Sequence, residues 1–166
     1  MTYGLLVLGL GGNLGSAAAI VERFARARAA LAQLGPLHSA PLYRSAPIGP
    51  VQPAYLNTAV RIAVGDARPD ELLATLRELE RLLGRDRAGE VRWGPRVIDL
   101  DVLVWGARVI RTPALEVPHP QLAHRRFALA PLVALVGDEF DVPGLGPAGA
   151  LLARVAGQDC EDLGAW

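Results

Sequence analysis

The run Val97-Ile98-Asp99-Leu100-Asp101-Val102-Leu103-Val104-Trp105 admits little besides a β-strand, because it is rich in β-branched and aromatic residues and follows a Gly94-Pro95 breaker. Alternation then dictates two unlike faces. Ile98, Leu100, Val102 and Val104 make one wholly apolar side that other elements must cover, while Asp99 and Asp101 project together from the other. Carboxylates about 7 Å apart on one strand repel each other and resist burial, so a strand that sets them among apolar neighbours favours a bridging cation. Mg²⁺ suits them, since it takes one or two protein carboxylates and leaves its other positions to water and phosphate. Taken alone, an Asp-x-Asp pair also describes the solvated face of an edge strand. The preceding segment favours the metal: Arg85, Arg87, Arg92 and Arg96 are planar donors that grip phosphate oxygens two at a time.

At 166 residues, with 51% hydrophobic and 20% charged, the chain is long and apolar enough for one domain spanning 1–166 with a single core. A formal net charge of zero argues against a nucleic-acid binder that relies on bulk electrostatics. Cys160 is the only cysteine, so no disulfide framework or cysteine-based zinc site can be built. The apolar run Leu5 to Leu10 is too short for a signal peptide or membrane span, and the expectation is a cytoplasmic monomer that meets neither membrane nor nucleic acid. All 17 basic residues are arginines, a bias of genomic composition for the most part, which also excludes a P-loop and its obligatory lysine.

Tyr3 to Leu10 reads as a buried strand that Gly11-Gly12-Asn13-Leu14-Gly15 breaks; Gly9 and Gly11 imitate a dinucleotide fingerprint whose third position falls on Leu14, so turn and packing roles fit them better. Ser16 is placed to cap a helix with Ile20, Phe24, Ala27, Leu31 and Leu34 on one face. Leu37 to Arg44 is a weaker strand whose Pro41 implies an edge or a bulge, and Ser45 to Pro53 is a loop stiffened by prolines. In Ala54 to Val64, Tyr55 and Asn57 share a face beside that loop, an arrangement that could stack a flat ligand on Tyr55 and read its edge with Asn57. Pro69 opens a helix with Leu72, Leu76, Leu79 and Leu83 as its core stripe, Gly84 as its stop and Glu80 at the border. Gly106-Ala107 reads as a hairpin turn returning through Arg108 to Ile110, and Phe127 opens an apolar helical run to Val136. Strands and helices in this order predict an α+β fold: a largely antiparallel sheet with helices packed on it. No chemistry is legible in the acidic tail from Gln158 to Trp166.

These segments together resemble the 6-hydroxymethyl-7,8-dihydropterin pyrophosphokinases of folate synthesis. The resemblance rests on Leu10-Gly11-Gly12-Asn13-Leu14-Gly15, on Pro47-Ile48-Gly49-Pro50 with Gln52-Pro53-Ala54-Tyr55-Leu56-Asn57, on Arg92-Trp93-Gly94-Pro95-Arg96 running into Asp99 and Asp101, and on Val117-Pro118-His119-Pro120 with Arg125 and Phe127. It implies a ferredoxin-like α/β sandwich and pyrophosphoryl transfer from ATP to the pterin alcohol. By the same resemblance Asp99 and Asp101 hold two Mg²⁺ ions, and Arg85, Arg87, Arg92 and Trp93 belong to a mobile catalytic loop. Glu80, Arg96, His119 and Arg125 serve ATP, while Ser45, Ile48, Tyr55, Asn57 and Phe127 serve the pterin, Ser45 and Ile48 through their backbones. Gly12, Ala46 and Arg77 depart from the serine, proline and glutamine frequent in that family. A ferredoxin-like module that binds a nucleotide without turning it over is the competing reading, and a Mg²⁺-dependent glycosyl- or nucleotidyltransferase a third. An arginine-rich loop beside a metal pair speaks against the module, and the Tyr55 and Asn57 face against the other transferases.

Overall fold

The N-terminal strand is the spine onto which both strands singled out above pair. In the computed structural model, which describes residues 4–166, β1 (Gly4–Gly12) runs between β4 (Tyr55–Val64) and β5 (Asp99–Trp105), antiparallel to each. Tyr3, the first residue of the predicted strand, lies outside the described residues. On the far side of β4 lie β2 (Leu37–Ser39) and β3 (Leu42–Ser45), and the C-terminal strand here labelled β10 (Cys160–Gly164) pairs with β3 as the outermost member. The order β10-β3-β4-β1-β5, wholly antiparallel, with helices after β1 and β4, is the predicted ferredoxin-like α+β arrangement.

One face of the sheet carries α1 (Ala17–Leu31) and α2 (Pro69–Leu82). Leu6, Leu8 and Leu10 of β1 and Leu100 and Val102 of β5 pack there against Phe24 and Leu76, burying the apolar face of each strand. Ser16 caps α1 by accepting from the Ala19 N–H at 3.2 Å, and Gly84, at φ 98°, takes the left-handed conformation that stops α2. On the other face α3 (Arg126–Val136) and the short helix here labelled α4 (Ala148–Arg154) cover Val7, Ala59 and Leu103 with Leu129, Leu132 and Leu151. They leave bare the corner where β1 ends and β4 and β5 begin. No helix among the described residues is long and apolar enough to cross a membrane.

Four local expectations are corrected. β1 continues through Gly11 and Gly12 instead of breaking there, because β5 pairs with it to Gly11 and β4 to Gly12. Leu37 to Arg44 is two short strands divided at Ala40-Pro41, where the register against β4 slips by one residue; β10 covers β3 alone, so β2 keeps the edge that Pro41 implied. The segment after Gly106 does not pair back on β5; Ile110–Arg111 (β6) pairs with Glu116–Val117 (β7), just as Asp141–Val142 (β8) pairs with Gly146–Pro147 (β9) further on. In β5 itself, which begins at Asp99, the register slips between Val7 and Leu8 so that Leu103 is an extra residue. That bulge turns Val104 to the same side as Leu103 and sends Trp105, 1% exposed, into the place on the helix-covered face that alternation assigned to Val104.

Candidate active site

The bare corner is a cavity of about 310 Å³ whose floor is the main chain of β1. Gly11 lies between Asn57 of β4 and Asp99 of β5, and Gly9 between Ala59 and Asp101. A Cβ on Gly11 would stand 3.2 Å from Asn57 Oδ1, and one on Gly9 3.3 Å from the Leu103 side chain. These glycines therefore lower a floor, where the sequence reading gave them turn and packing roles. At Gly12 a Cβ would meet the Val97 carbonyl oxygen at 2.8 Å, so the serine common in the resembled family could enter only if the backbone before β5 moved.

Asn13, which the sequence reading passed over, knots the walls together. Its N–H and that of Leu14 donate to Arg96 O at 3.0 and 3.2 Å, while its Oδ1 accepts from Arg96 N at 2.9 Å. Its Nδ2 donates to Gln52 Oε1 and Pro53 O at 3.0 and 2.9 Å. One buried amide thus joins the end of β1, the proline loop and the segment before β5. An asparagine directly behind two glycines at a strand end was the available signal.

Asp99 and Asp101 both face the cavity. Burial at the foot of the cavity, reinforced by the Asp99 charge, pushes the Asp101 carboxyl up to about 7, against the pull of Arg125. His119 Nε2 is 3.9 Å from Asp101 Oδ2, but no ion pair forms at neutral pH, because burial and Arg125 drive the imidazole down to about 4. Its Nδ1 accepts from Gln121 N at 3.1 Å, which leaves the proton on Nε2. Two carboxylates whose repulsion is only partly compensated fit a hard cation, and among the described residues no cluster of three or more His, Cys, Asp or Glu side chains exists to enclose one. Water and phosphate oxygens would complete such a shell.

A stability measurement checks this electrostatic description. Because the folded state holds the Asp101 proton more tightly than the unfolded chain, the metal-free protein loses stability as pH rises from about 4 to about 7. Asp101→Asn removes that loss. The side chain is 40% exposed, so screening limits the gain to about 1 kcal/mol, roughly 2–4 °C in Tm at pH 7.5 without divalent metal. Thermal melts at pH 4.5 and 7.5 should show the difference growing with pH; an equal effect at both would refute the raised carboxyl.

Glu80, Arg85 and Arg87 do not line the cavity but form an ionic network behind it. Arg85 donates from Nε and Nη2 to Glu90 at 2.7 and 2.9 Å, and from Nη1 to Glu80 Oε1 and Asp99 Oδ1 at 2.8 and 2.7 Å. Glu80, 1% exposed, also accepts from Leu100 N at 2.8 Å, the amide between the two aspartates, and from Arg87. The loop that the resemblance implies to be mobile finds three anions here, Glu80, Glu90 and Asp99, and in this structure its first arginines fold it against β5. Arg87–Gly89 forms a short 3-10 turn that Asp86 caps.

The remaining predicted residues do converge. Arg92, Trp93, Arg96, His119 and Arg125 line the cavity with Ser45, Ile48, Tyr55, Asn57 and Phe127. Trp93, at φ 62°, has the guanidinium groups of Arg92 and Arg125 each 5.5 Å from its ring centre, and its carbonyl is held by Gln52 Nε2 at 2.7 Å. Asn57, 4% exposed, donates from Nδ2 to Ser45 Oγ at 2.8 Å, so the Ser45 hydroxyl orients that amide, a contact the resemblance did not include. Tyr55 spends its hydroxyl on Gly94 O at 2.9 Å and offers the cavity its ring. Arg77 lies exposed on α2 and does not line the cavity.

An antiparallel α+β sheet that sets paired carboxylates and arginines opposite an amide and aromatic rings is the frame of a nucleotide-dependent transferase. The family model for 7,8-dihydro-6-hydroxymethylpterin-pyrophosphokinase matches residues 7–137, and the chain belongs to that family. It is 38% identical over 138 residues to the 2-amino-4-hydroxy-6-hydroxymethyldihydropteridine pyrophosphokinase of Synechocystis, covering 81% of this chain and 68% of that one. Its identity to the Haemophilus influenzae protein of the same name is 35% over 135 residues, 79% and 81% of the respective chains. A folate synthesis bifunctional protein of Arabidopsis thaliana is 37% identical over 142 residues, but the match spans 83% of this chain and only 28% of that longer one. The fold recurs in the crystal structure of Plasmodium falciparum HPPK-DHPS with pteroate, at a TM-score of 0.70 and 14% identity over 92% of this chain and 44% of that one.

Proposed function

We propose that the chain moves the pyrophosphoryl group of ATP onto the hydroxymethyl oxygen of 6-hydroxymethyl-7,8-dihydropterin and releases AMP, a step of folate synthesis. The observation that carries this reading is one cavity with two unlike walls: Asp99 and Asp101 on β5, Asn57 and Tyr55 on β4, and a glycine floor between them. A flat ring can lie on that floor with its edge toward Asn57, which brings its substituent toward the aspartates.

In the reaction the pterin oxygen forms a bond to the β-phosphorus while the bond from that phosphorus to the α,β-bridging oxygen breaks, and AMP keeps the bridging oxygen. Positioning and charge neutralisation supply most of the acceleration. Asp99 and Asp101 would hold Mg²⁺, proposed as two ions, which would supply charge neutralisation of the polyphosphate. Arg92, Arg96 and Arg125 are assigned to phosphate oxygens, His119 to a phosphate through its Nε2–H, and Trp93 to closing the mouth. Glu80, Arg85 and Arg87 brace β5. His119 makes a poor general base, since Nδ1 is engaged and Nε2 carries the proton; the pterin proton leaves to water or phosphate. Small molecules are the only partners such a monomeric, cytoplasmic enzyme needs. Incubation with ATP, Mg²⁺ and the reduced pterin alcohol should yield AMP; ADP, or no nucleotide product, would refute the reading.

Asn57→Ala should weaken pterin binding by roughly 10²-fold while ATP binding stays within about twofold, because a site built to pair a substrate edge loses much when its buried polar group is removed. Calorimetry with each ligand separates these effects, and equal losses for both would mean a general disturbance of the cavity.

A further inference from the structure

The C-terminal tail, which the reading above leaves without a role, lies beyond residue 137, where the family match ends. It touches both walls of the pterin side at once. Gln158 Oε1 accepts from Arg126 N at 2.8 Å and its Nε2 donates to His124 O at 2.8 Å, so one side chain grips the start of α3 on either side of Arg125. Arg126 answers by donating from Nη1 to Ala156 O and Gln158 O at 2.7 and 2.8 Å. Two residues further on, Cys160 pairs with Ser45, whose hydroxyl holds Asn57. The tail is therefore the short link between the wall that carries Arg125 and Phe127 and the wall that carries Ser45 and Asn57.

Its far end is pinned as well. The Trp166 indole N–H donates to Ala40 O and Thr58 Oγ1 at 3.0 and 3.2 Å, and Thr58 is the neighbour of Asn57 on β4. The ring stands edge-on to Phe24 with centroids 6.0 Å apart, and Arg28 lies 4.4 Å over it. A segment anchored at Trp166 and at α3 cannot slide along β3 without breaking one of these ends, so it fixes the distance across the cavity.

We infer that residues 156–166 are a positioning strap that sets the gap between Phe127 and Asn57, with Gln158 as its adjustable contact and pterin affinity as the property it controls. The inference rests on the pterin reading of this cavity. A strap of this kind acts chiefly on ring fit, because on the phosphate side Asp99 and Arg96 are held by Arg85 and Asn13, which the tail does not touch, and only Arg125, through its neighbours His124 and Arg126, lies within its reach.

Gln158 is exposed, so Gln158→Ala should fold normally. In the full-length protein, with Mg²⁺ and an ATP analogue carrying a methylene between the α and β phosphorus atoms, its pterin Kd should rise roughly three- to tenfold, the scale of one or two lost hydrogen bonds. Nucleotide Kd and kcat at saturating pterin should stay within about twofold of wild type. Gln158→Glu keeps the acceptor for Arg126 N and should recover part of the loss. Unchanged pterin affinity in Gln158→Ala, or an equal loss of nucleotide affinity, overturns the strap while leaving the pterin reading intact. Failure of the wild type itself to bind the pterin overturns both. Trp166→Phe gives a second approach that retains the aromatic contacts: with its far-UV spectrum unchanged, it too should raise pterin Kd selectively, and an unaltered Kd counts against the strap.

Discussion

Asp101→Ala should lower kcat by roughly 10³-fold or more, and Asp99→Ala by a similar factor, since each removes a carboxylate on which charge neutralisation of the transferring group depends. The fold should survive both changes, because the opposite face of β5 carries Leu100 and Val102 in the main core and the aspartates contribute no apolar packing. The two variants should nonetheless differ in the absence of metal. Asp99 is hydrogen-bonded to Arg85, so its removal leaves a buried guanidinium with Glu80 and Glu90 alone, whereas removal of Asp101 relieves repulsion. Steady-state rates across a Mg²⁺ titration, together with melts of the metal-free proteins, check both halves. Full activity with an unchanged Mg²⁺ dependence in either variant would overturn the metal assignment.

Arg92→Ala is expected to lower kcat by roughly 10²–10³ with little change in ATP affinity, the scale of losing one preorganised donor. The structure gives a reason for choosing this arginine. Arg85 and Arg87 are engaged by carboxylates and Arg96 lies 3.6 Å from Glu90, while among the described residues Arg92 has no acidic partner. Its charge is available to an incoming phosphate. Trp93, next to it, holds a left-handed backbone that a bulky side chain seldom adopts, kept in place by Gln52. Single-turnover and equilibrium binding measurements separate the outcomes: a loss confined to ATP affinity would make the segment a fixed binding wall.

The sequence disclosed the fold where the local pattern was strong. Alternation in β4, the capped periodicity of α1 and the proline-led α2 needed no tertiary information. It failed where pairing partners decide. Nothing in Leu103-Val104 marks a bulge, since both residues suit either face, and nothing in Cys160 to Gly164 marks a strand until β3 offers an unpaired edge. Candidate site residues were legible as chemical types on known faces, and ten of them line one cavity together with Asp99 and Asp101. Glu80, Arg85 and Arg87 were legible as charges but not as a buried network, because only the approach of α2 to β5 makes Glu80 an acceptor for the Leu100 amide. Asn13 was missed because its partners stand about 40 and 83 residues away in the chain.

Arg85 also gives a local meaning to the absence of lysine. Four hydrogen bonds leave its guanidinium in three directions, toward Glu80, Glu90 and Asp99. An ammonium group has three donors around one point and cannot reproduce that fork, so here arginine is a geometric requirement whatever biased the rest of the composition. Burial works against the charge, but the hydrogen bonds to Glu90 and the charges of Asp99 and Glu80 outweigh it and raise the pKa above an already high value. Asp101 and His119 change protonation as acidity varies, yet the Arg85 guanidinium beneath Asp99 keeps its charge. The enzyme thus sets titrating ligands over a permanent cation, and any alkaline limit on its activity should arise at those ligands and not in the guanidinium that aims them.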